Sequence, residues 1–541
     1  MAKTVESVNG SQWSLKLHTH SEPKLSISCL PHEMWINIFE EMNSPSHLLQ
    51  VIQTCRHFYY LAIRVLYRDI SWLSPFQYTN NAPFWNSHAS SMKLVPNSLT
   101  ISICLLPATP RLHDPAVGIV EGDGSWTPTG APSLTYPPEI AHAHACFSPK
   151  NFTFYASHAM YTTLMKQVST FTMLQTLVFH MSELPISVFT TIVALPRLRS
   201  LSLQYCTLPL MDLEPDPRFS DLPITELTLW FNKGDPGAFT HSNYTYMLYL
   251  CTAKNLRTLR IDWNPTTGRF LSRQNTDTPI EPLVALTELS IRFNPGRSLW
   301  PREDSDFALT AFLHGSPHIE RFHCLARRSM IGLPSTMVPK LSSYKGVLVG
   351  VLGLVRSRPI EHVELTDADQ RLADVVAMLK DLATLRPRLR TLGFRVYKWD
   401  EEVMYALIKL FEDVRILQIK FSDGCVEEQT LLSLGALFLH HFPSLEILQL
   451  YKATLPTLIV DDQFPRPPPS YLHKPSDDLR TSFPVDDDIV VKESLTAWRK
   501  SCPNLREVQL TERFVWRRAS CRDEWCKRAS PRASTKLFEL Y

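Results

Sequence analysis

"LRTLRIDWN" (Leu256–Asn264) and "LTELSIRFN" (Leu286–Asn294) are two copies of one phrase. Apolar residues stand at its first, fourth and sixth positions, and an asparagine stands at the ninth. The phrase returns from about residue 170 onward. It opens at Leu174, Leu198, Ile224, Ile319, Ile360, Leu389, Val414, Leu445 and Leu505, with a degenerate copy, "LSSYKG", at Leu341. Successive starts are mostly 24 to 33 residues apart. Alternation at period two, as at Leu201 and Leu203, puts one side of a short strand into a core. Cys206, Asn232, Asn264 and Asn294 occupy the ninth position in four copies. There a polar side chain can satisfy backbone groups as the chain leaves the strand.

Between copies the apolar period changes to 3.6. Leu372, Val375, Val376, Leu379 and Leu382 form one helical stripe, Val403, Leu407, Leu410 and Phe411 another, and Phe189, Ile192 and Val193 a shorter one. Each unit therefore reads as strand, turn, helix and return. No single unit can bury its own apolar face, so the units are expected to stack as a solenoid, strands on the concave side and helices on the convex side. The pattern L-x-x-L-x-L-x-x-N/C resembles the leucine-rich repeat. The expected fold class is thus α/β, with a repeat array over residues 171–515 interrupted by an insertion at 456–488.

A second pattern lies near the start. "LPHEMWINIFEEM" (Leu30–Met42) concentrates apolar residues in one short segment. Pro31 suits a first helical position, with Glu33 in the first turn. Trp35, Ile38, Phe39 and Met42 then share a stripe. Ser44 is a plausible N-cap before Pro45, with Leu48, Leu49, Ile52 and Cys55 at helical spacing. "RHFYYLAIRVLYRDI" places Phe58, Leu61, Ala62, Val65 and Leu66 on a third stripe. Three short helices make a very small core, and such a unit tends to need a partner surface.

These residues resemble the F-box: Leu-Pro-x-Glu at Leu30–Glu33, Ile-Phe at Ile38 and Phe39, the pair Leu48 and Leu49, then Cys55, Arg56, Phe58 and Leu61. "LYRDISW" and "VPKLSSYKG" look like F-box proteins of mushroom-forming fungi. The resemblance implies docking on the Skp adaptor of a cullin-RING ubiquitin ligase. It places Leu30, Pro31, Glu33, Met34, Trp35, Ile38, Phe39, Leu48, Leu49, Val51, Cys55 and Arg56 at or near that interface. Some of them, Phe39 especially, could instead hold the three helices together.

Composition narrows the remaining classes. Of 541 residues, 44% are apolar and 20% charged, so a large core is available; the net charge of +2 offers no bulk attraction to nucleic acid or membrane. The longest wholly apolar run, "GVLVGVLGLV" from Gly346, is too short to span a bilayer. The first residues hold no apolar leader segment, and eleven unpatterned cysteines read as reduced, mostly buried thiols. Together these predict a cytoplasmic or nuclear protein. Residues 1–28 are expected to be disordered, 29–72 to be the three-helix unit, and 73–170 to be linker and irregular first repeats with a proline-rich loop at 107–138.

No nucleophile–base set, phosphate-binding glycine loop or H-E-x-x-H motif is present, so neither catalysis nor a cofactor is expected. "HAHAC" (His142–Cys146) lacks an evident fourth metal ligand, and no metal site is expected there. Strand positions between the core leucines form the candidate target-binding face: Trp230, Arg260, Asp262, Arg292, His323, Arg395, Lys420 and Tyr451. Over all outward strand positions the charges roughly balance, Glu226, Asp262, Glu288, Glu364 and Glu507 against Arg260, Arg292, Arg321, Arg395 and Lys420, which argues against a purely phosphate-reading trough but not against a local Arg pair. Residues 516–541 read as a basic tail carrying "RRAS" (Arg517–Ser520), a match to a basic-directed kinase site or an import signal. The combined expectation is a substrate-recognition subunit of a cullin-RING ubiquitin ligase, binding a target protein through its repeats. The alternative is an interaction scaffold that recruits no cullin.

Overall fold

The structure, a computed structural model, describes residues 30–102, 160–206, 216–230, 246–272, 283–293, 302–324, 333–366, 372–424, 426–453 and 488–530, apart from 43, 74, 93–94, 183, 335, 356, 387, 427 and 521. It divides into two units: the chain up to Ile70 with Val95–Ser98, and the remainder. The expected disorder at 1–28, the proline-rich loop and "HAHAC" lie outside the described residues, as does the insertion up to residue 487.

Three helices make the first unit: α1 (His32–Glu40), α2 (Pro45–Ile52) and α3 (Arg56–Leu66). Pro31 stands one position earlier than expected. It is the extended residue before α1, and its carbonyl accepts from the amides of Met34 and Trp35. Pro45 does take the first turn of α2, but the Ser44 side chain makes no cap bond. Cys55 caps α3 instead, its Sγ accepting from the Phe58 amide at 3.4 Å. Phe39, Leu48, Leu61 and Ala62 are buried together, with Trp35, Met42, Val51, Ile52, Phe58, Val65 and Leu66 packed against them. The Phe58 ring meets Trp35 at 4.7 Å and Phe39 at 5.4 Å.

A long sheet organises the second unit. Its strands, each hydrogen-bonded to the next, lie in chain order: β1 (Asp69–Trp72), β2 (Ser98–Ile101), β3 (Thr176–His180), β4 (Ser200–Gln204), β5 (Glu226–Trp230), β6 (Thr258–Trp263), β7 (Glu288–Phe293), β8 (Arg321–Cys324), β9 (Ser343–Gly346), β10 (His362–Leu365), β11 (Thr391–Lys398), β12 (Ile416–Asp423), β13 (Ile447–Lys452), β14 (Glu507–Gln509), β15 (Phe514–Arg517) and β16 (Cys526–Ala529). From β3 to β14 neighbours are parallel and in register at the fourth position of the phrase. Leu177, Leu201, Leu227, Leu259, Leu289, Phe322, Tyr344, Val363, Leu392, Leu417, Leu448 and Val508 thus form one continuous buried row.

The degenerate copy keeps this register by exchanging volumes. Tyr344 fills the fourth position and donates its hydroxyl to the Val347 carbonyl at 3.2 Å. Gly346 at the sixth leaves the room, since a Cβ there would lie 2.5 Å from the Cys324 carbonyl oxygen and 2.6 Å from the Tyr344 hydroxyl. The ninth position behaves as expected where it is described. Asn264 Oδ1 accepts from the Thr267 amide at 2.9 Å, and Cys206 Sγ lies 3.5 Å from the Phe179 carbonyl. Asn232 and Asn294 lie outside the described residues. Helix Leu372–Leu385 buries Val375, Met378, Leu379 and Leu382; Met378 joins the expected stripe, while Leu372 and Val376 are half-buried.

Two expectations are corrected. The start of the stretch expected as linker and irregular first repeats is not linker but holds α4 (Pro75–Met92), whose Trp85 is buried against Trp72 and Phe171. Pro83 inside α4 and the absence of an apolar stripe hid it. The basic tail does not begin at 516, because β15 and β16 continue the sheet in antiparallel sense to Ala529. Arg518 of "RRAS" is buried. Its Nε donates to the Leu505 carbonyl at 2.6 Å, and its guanidinium lies 5.0 Å from the Trp525 ring. Arg517 pairs with Glu507 at 2.7 Å. Basic residues here staple the end of the sheet, and the exposed edge strand β16 carries Lys527 and Arg528, a charge pattern that discourages further strand pairing.

Candidate functional site

The twelve residues expected at the adaptor interface separate by burial. Leu30, Pro31, Glu33, Met34, Ile38, Leu49, Cys55 and Arg56 are exposed, and Trp35 and Val51 are half-buried. Phe39 and Leu48 are corrected to core residues, at 2% and 5% exposure. The cause is angular. Ile38 and Phe39 are 100° apart on α1, so when Trp35, Phe39 and Met42 turn inward, Ile38 follows Met34 outward. Met34, Ile38 and Leu49 are 48%, 42% and 49% exposed, although they belong to a unit whose core is already closed without them. Tyr60, not anticipated, is 67% exposed on α3.

On the strand face, register brings the expected lanes together. Arg260, Ser290, His323, Lys345, Glu364, Gly393, Gln418 and Gln449 follow one another across β6 to β13. Arg395, Lys420 and Tyr451 align in the lane two residues on. Most of the charge in these lanes is internally matched. Arg292 holds Asp262 with two parallel bonds, Nη2 to Oδ2 at 2.7 Å, and donates Nη1 to the Tyr205 hydroxyl at 2.7 Å. Its guanidinium also lies 4.6 Å from the Trp230 ring. Burial works against the Arg292 charge, but Asp262 outweighs it and holds the guanidinium above its ordinary value. Tyr205 was missed from sequence because it follows the strand in left-handed backbone, φ 55°, outside the alternation.

Glu288 is bracketed by Arg321 at 2.7 Å and Arg260 at 3.2 Å. Burial alone would raise its carboxyl; the hydrogen bonds from Arg321 and then Arg260 outweigh burial and hold it below the usual carboxylate range. Glu364 is placed likewise between Lys345 at 3.0 Å and Lys420 at 3.3 Å. Burial opposes its ionisation, and the two ammonium groups prevail. Burial, with Lys345 next in weight, holds His323 below the ordinary imidazole value. Arg395 differs from the other cations. No ion pair to it is present among the described residues, and its buried Nε has no hydrogen-bond partner.

Among the described residues the free thiols of Cys55 and Cys526 are exposed and those of Cys206, Cys251, Cys324 and Cys502 are buried. No group of three metal-ligating side chains occurs there. Burial pushes the Cys206 thiol up to about 12 and Cys502 up to about 11. Among the described residues no helix is long and apolar enough to cross a membrane.

An F-box-like domain is found at residues 27–71. It coincides with the three helices whose apolar residues are left partly uncovered. No curated protein matches the chain. Among solved structures, the complex of Rad7 and Elc1 in yeast is similar at 15% identity over 53% of this chain and 73% of that chain, with a TM-score of 0.29. The complex of TLR13 with ssRNA13 is similar at 18% identity over 55% of this chain and 38% of that chain, with a TM-score of 0.24. Both likenesses are slight, and nothing about this chain follows from them.

Proposed function

We propose that the chain is the substrate-recognition subunit of a cullin-RING ubiquitin ligase of the Skp–cullin–F-box type, working in the cytoplasm or nucleus and performing no covalent chemistry itself. The F-box-like helices hold the Skp adaptor. The second unit is a leucine-rich-repeat solenoid whose strand face holds a target protein. Tethering the target in this way raises the local concentration of its lysines at the ubiquitin-charged enzyme. The observation that carries the reading is the F-box-like domain with Leu30, Met34, Ile38 and Leu49 exposed over a finished core.

Affinity purification with mass spectrometry tests it, run on wild type and on a Leu30→Ala/Pro31→Ala variant. Wild type is expected to recover adaptor and cullin together. The variant should lose both while its circular dichroism stays unchanged. Recovery of adaptor without cullin would establish the scaffold alternative, and an absence of adaptor would overturn the ligase-subunit reading.

A further inference from the structure

Arg395 lines a cavity of about 220 Å³ on the strand face, together with Lys345, Glu364, Thr366, Gln418 and Lys420. Gly393 lies between Glu364 and Gln418, two of the lining residues, and a Cβ there would stand 3.2 Å from both, so their side chains pack over a position that carries none. One lane over, Arg395 lies beside Lys420.

The described residues lining this cavity include three cations, Lys345, Lys420 and Arg395, and one carboxylate, Glu364. Glu364 occupies both lysines, at 3.0 and 3.3 Å. It leaves the Arg395 Nε–H buried and unpaired among the described residues. A buried donor without an acceptor is costly, and a side-on oxyanion is what an arginine Nε edge binds with two parallel bonds. At the other clusters on this face, Arg292 with Asp262 and Arg260 and Arg321 with Glu288, the carboxylate is supplied by the chain itself. At Arg395 no such carboxylate is supplied among the described residues.

We infer that this cavity is an oxyanion site, which takes the carboxylate of an acidic residue or the phosphate of a phosphorylated residue on a target protein. Glu364 and Glu288 within the same face disfavour a run of phosphates, so a single anionic side chain is the fitting ligand. The inference rests on the strand face being the target-binding surface, but it can be tested with no adaptor and no target present.

The experiment is isothermal titration of the full chain with sodium phosphate and, separately, sodium acetate, at constant ionic strength. Wild type is expected to bind at least one of the two saturably. Phosphate alone identifies a phosphorylated residue as the source, acetate alone an acidic one, and both the shared chemistry. Arg395→Gln should weaken binding at least tenfold. Glu364→Gln, which removes the competing carboxylate, should tighten it severalfold. Gly393→Val keeps every charge but pushes on the lining residues Glu364 and Gln418 and should weaken binding, with circular dichroism verifying that each variant is folded. Absence of saturable binding by wild type, or binding by folded Arg395→Gln equal to wild type, would overturn the site. Adaptor recovery in the purification experiment would be unaffected by either result.

Discussion

Neighbouring residues Ile38 and Phe39 should respond to mutation in opposite ways. Fully burying an aliphatic or methionine side chain contributes about 1.5–3 kcal/mol. Met34, Ile38 and Leu49 are each a little under half exposed, so covering the remainder is worth roughly 0.7–1.5 kcal/mol apiece by the same coefficient. A Met34→Ala/Ile38→Ala/Leu49→Ala variant should therefore lose about 2–4 kcal/mol of adaptor affinity, roughly 30- to 700-fold. In the free protein each of these substitutions should cost less than Phe39→Ala, because about half of each side chain already faces water and none of the three belongs to the closed core. Phe39→Ala acts through the fold instead. Removing a phenylalanine at 2% exposure costs about 3–5 kcal/mol, comparable to the whole stability of so small a unit. Hydrogen exchange read by mass spectrometry separates the two. The triple variant should keep the amide protection of residues 32–66, and Phe39→Ala should lose it there while β3 to β14 stay protected. Surface plasmon resonance against the adaptor supplies the affinities. A folded triple variant binding within about threefold of wild type would refute the reasoning, since about 0.7 kcal/mol is only the low end of what a single one of these three side chains should supply.

Arg292→Ala should destabilise the second unit by about 3–5 kcal/mol, because it strands the Asp262 carboxylate in a buried position; thermal unfolding measures this, and an unchanged midpoint would mean that the pair is idle. Gly346→Ala should cost about 1–3 kcal/mol, since its Cβ must displace Tyr344 or the Cys324 carbonyl, whereas Gly315→Ala, whose Cβ meets nothing closer than 3.5 Å, should not show that clash. The carboxyls of Glu288 and Glu364 are held low in the fold, so their contribution is complete above the unfolded carboxylate pKa and disappears as pH falls through the lower folded value. Replacing both with Gln should flatten the acid limb of a stability–pH curve below about pH 4.5, the ordinary glutamate range, without steepening it near neutrality.

The repeat phrase was legible because the quantity it encodes, a strand with one buried side, is local. Position four is buried in every described copy, including Tyr344, which the leucine pattern misses but the spacing retains. The three F-box-like helices were legible for the same reason, while the direction of each residue was not. Ile38 and Phe39 are both apolar and adjacent, and only the packing of Trp35, Phe58 and Leu61 decides which one turns inward. Composition misled at the C-terminal end, where eight basic residues between Arg513 and Lys536 suggested a solvated tail. Arg517 and Arg518 are instead consumed by Glu507 and by the Leu505 and Pro503 carbonyls, partners that sequence separation conceals. α4 escaped notice because its burial rests on Tyr78 and Trp85, seven residues apart, with no stripe between them.

The strand face shows why a balanced count of charges says little about binding. Arg260, Arg292, Arg321, Arg395 and Lys420 stand against Asp262, Glu288, Glu364 and others, and the sum is close to neutral. What a ligand meets, however, depends on which cations already have a partner within reach. Register decides that, since a carboxylate one strand away on the same lane is close enough to pair while one displaced along the strand is not. Asp262 aligns with Arg292, and Glu288 with Arg321, so those cations are closed off from an incoming acid. Arg395 aligns with Lys420 on one side, a like charge, and no carboxylate is in its lane on β12 or β13. A surface whose charges roughly balance thus leaves Arg395 without a carboxylate partner among the described residues.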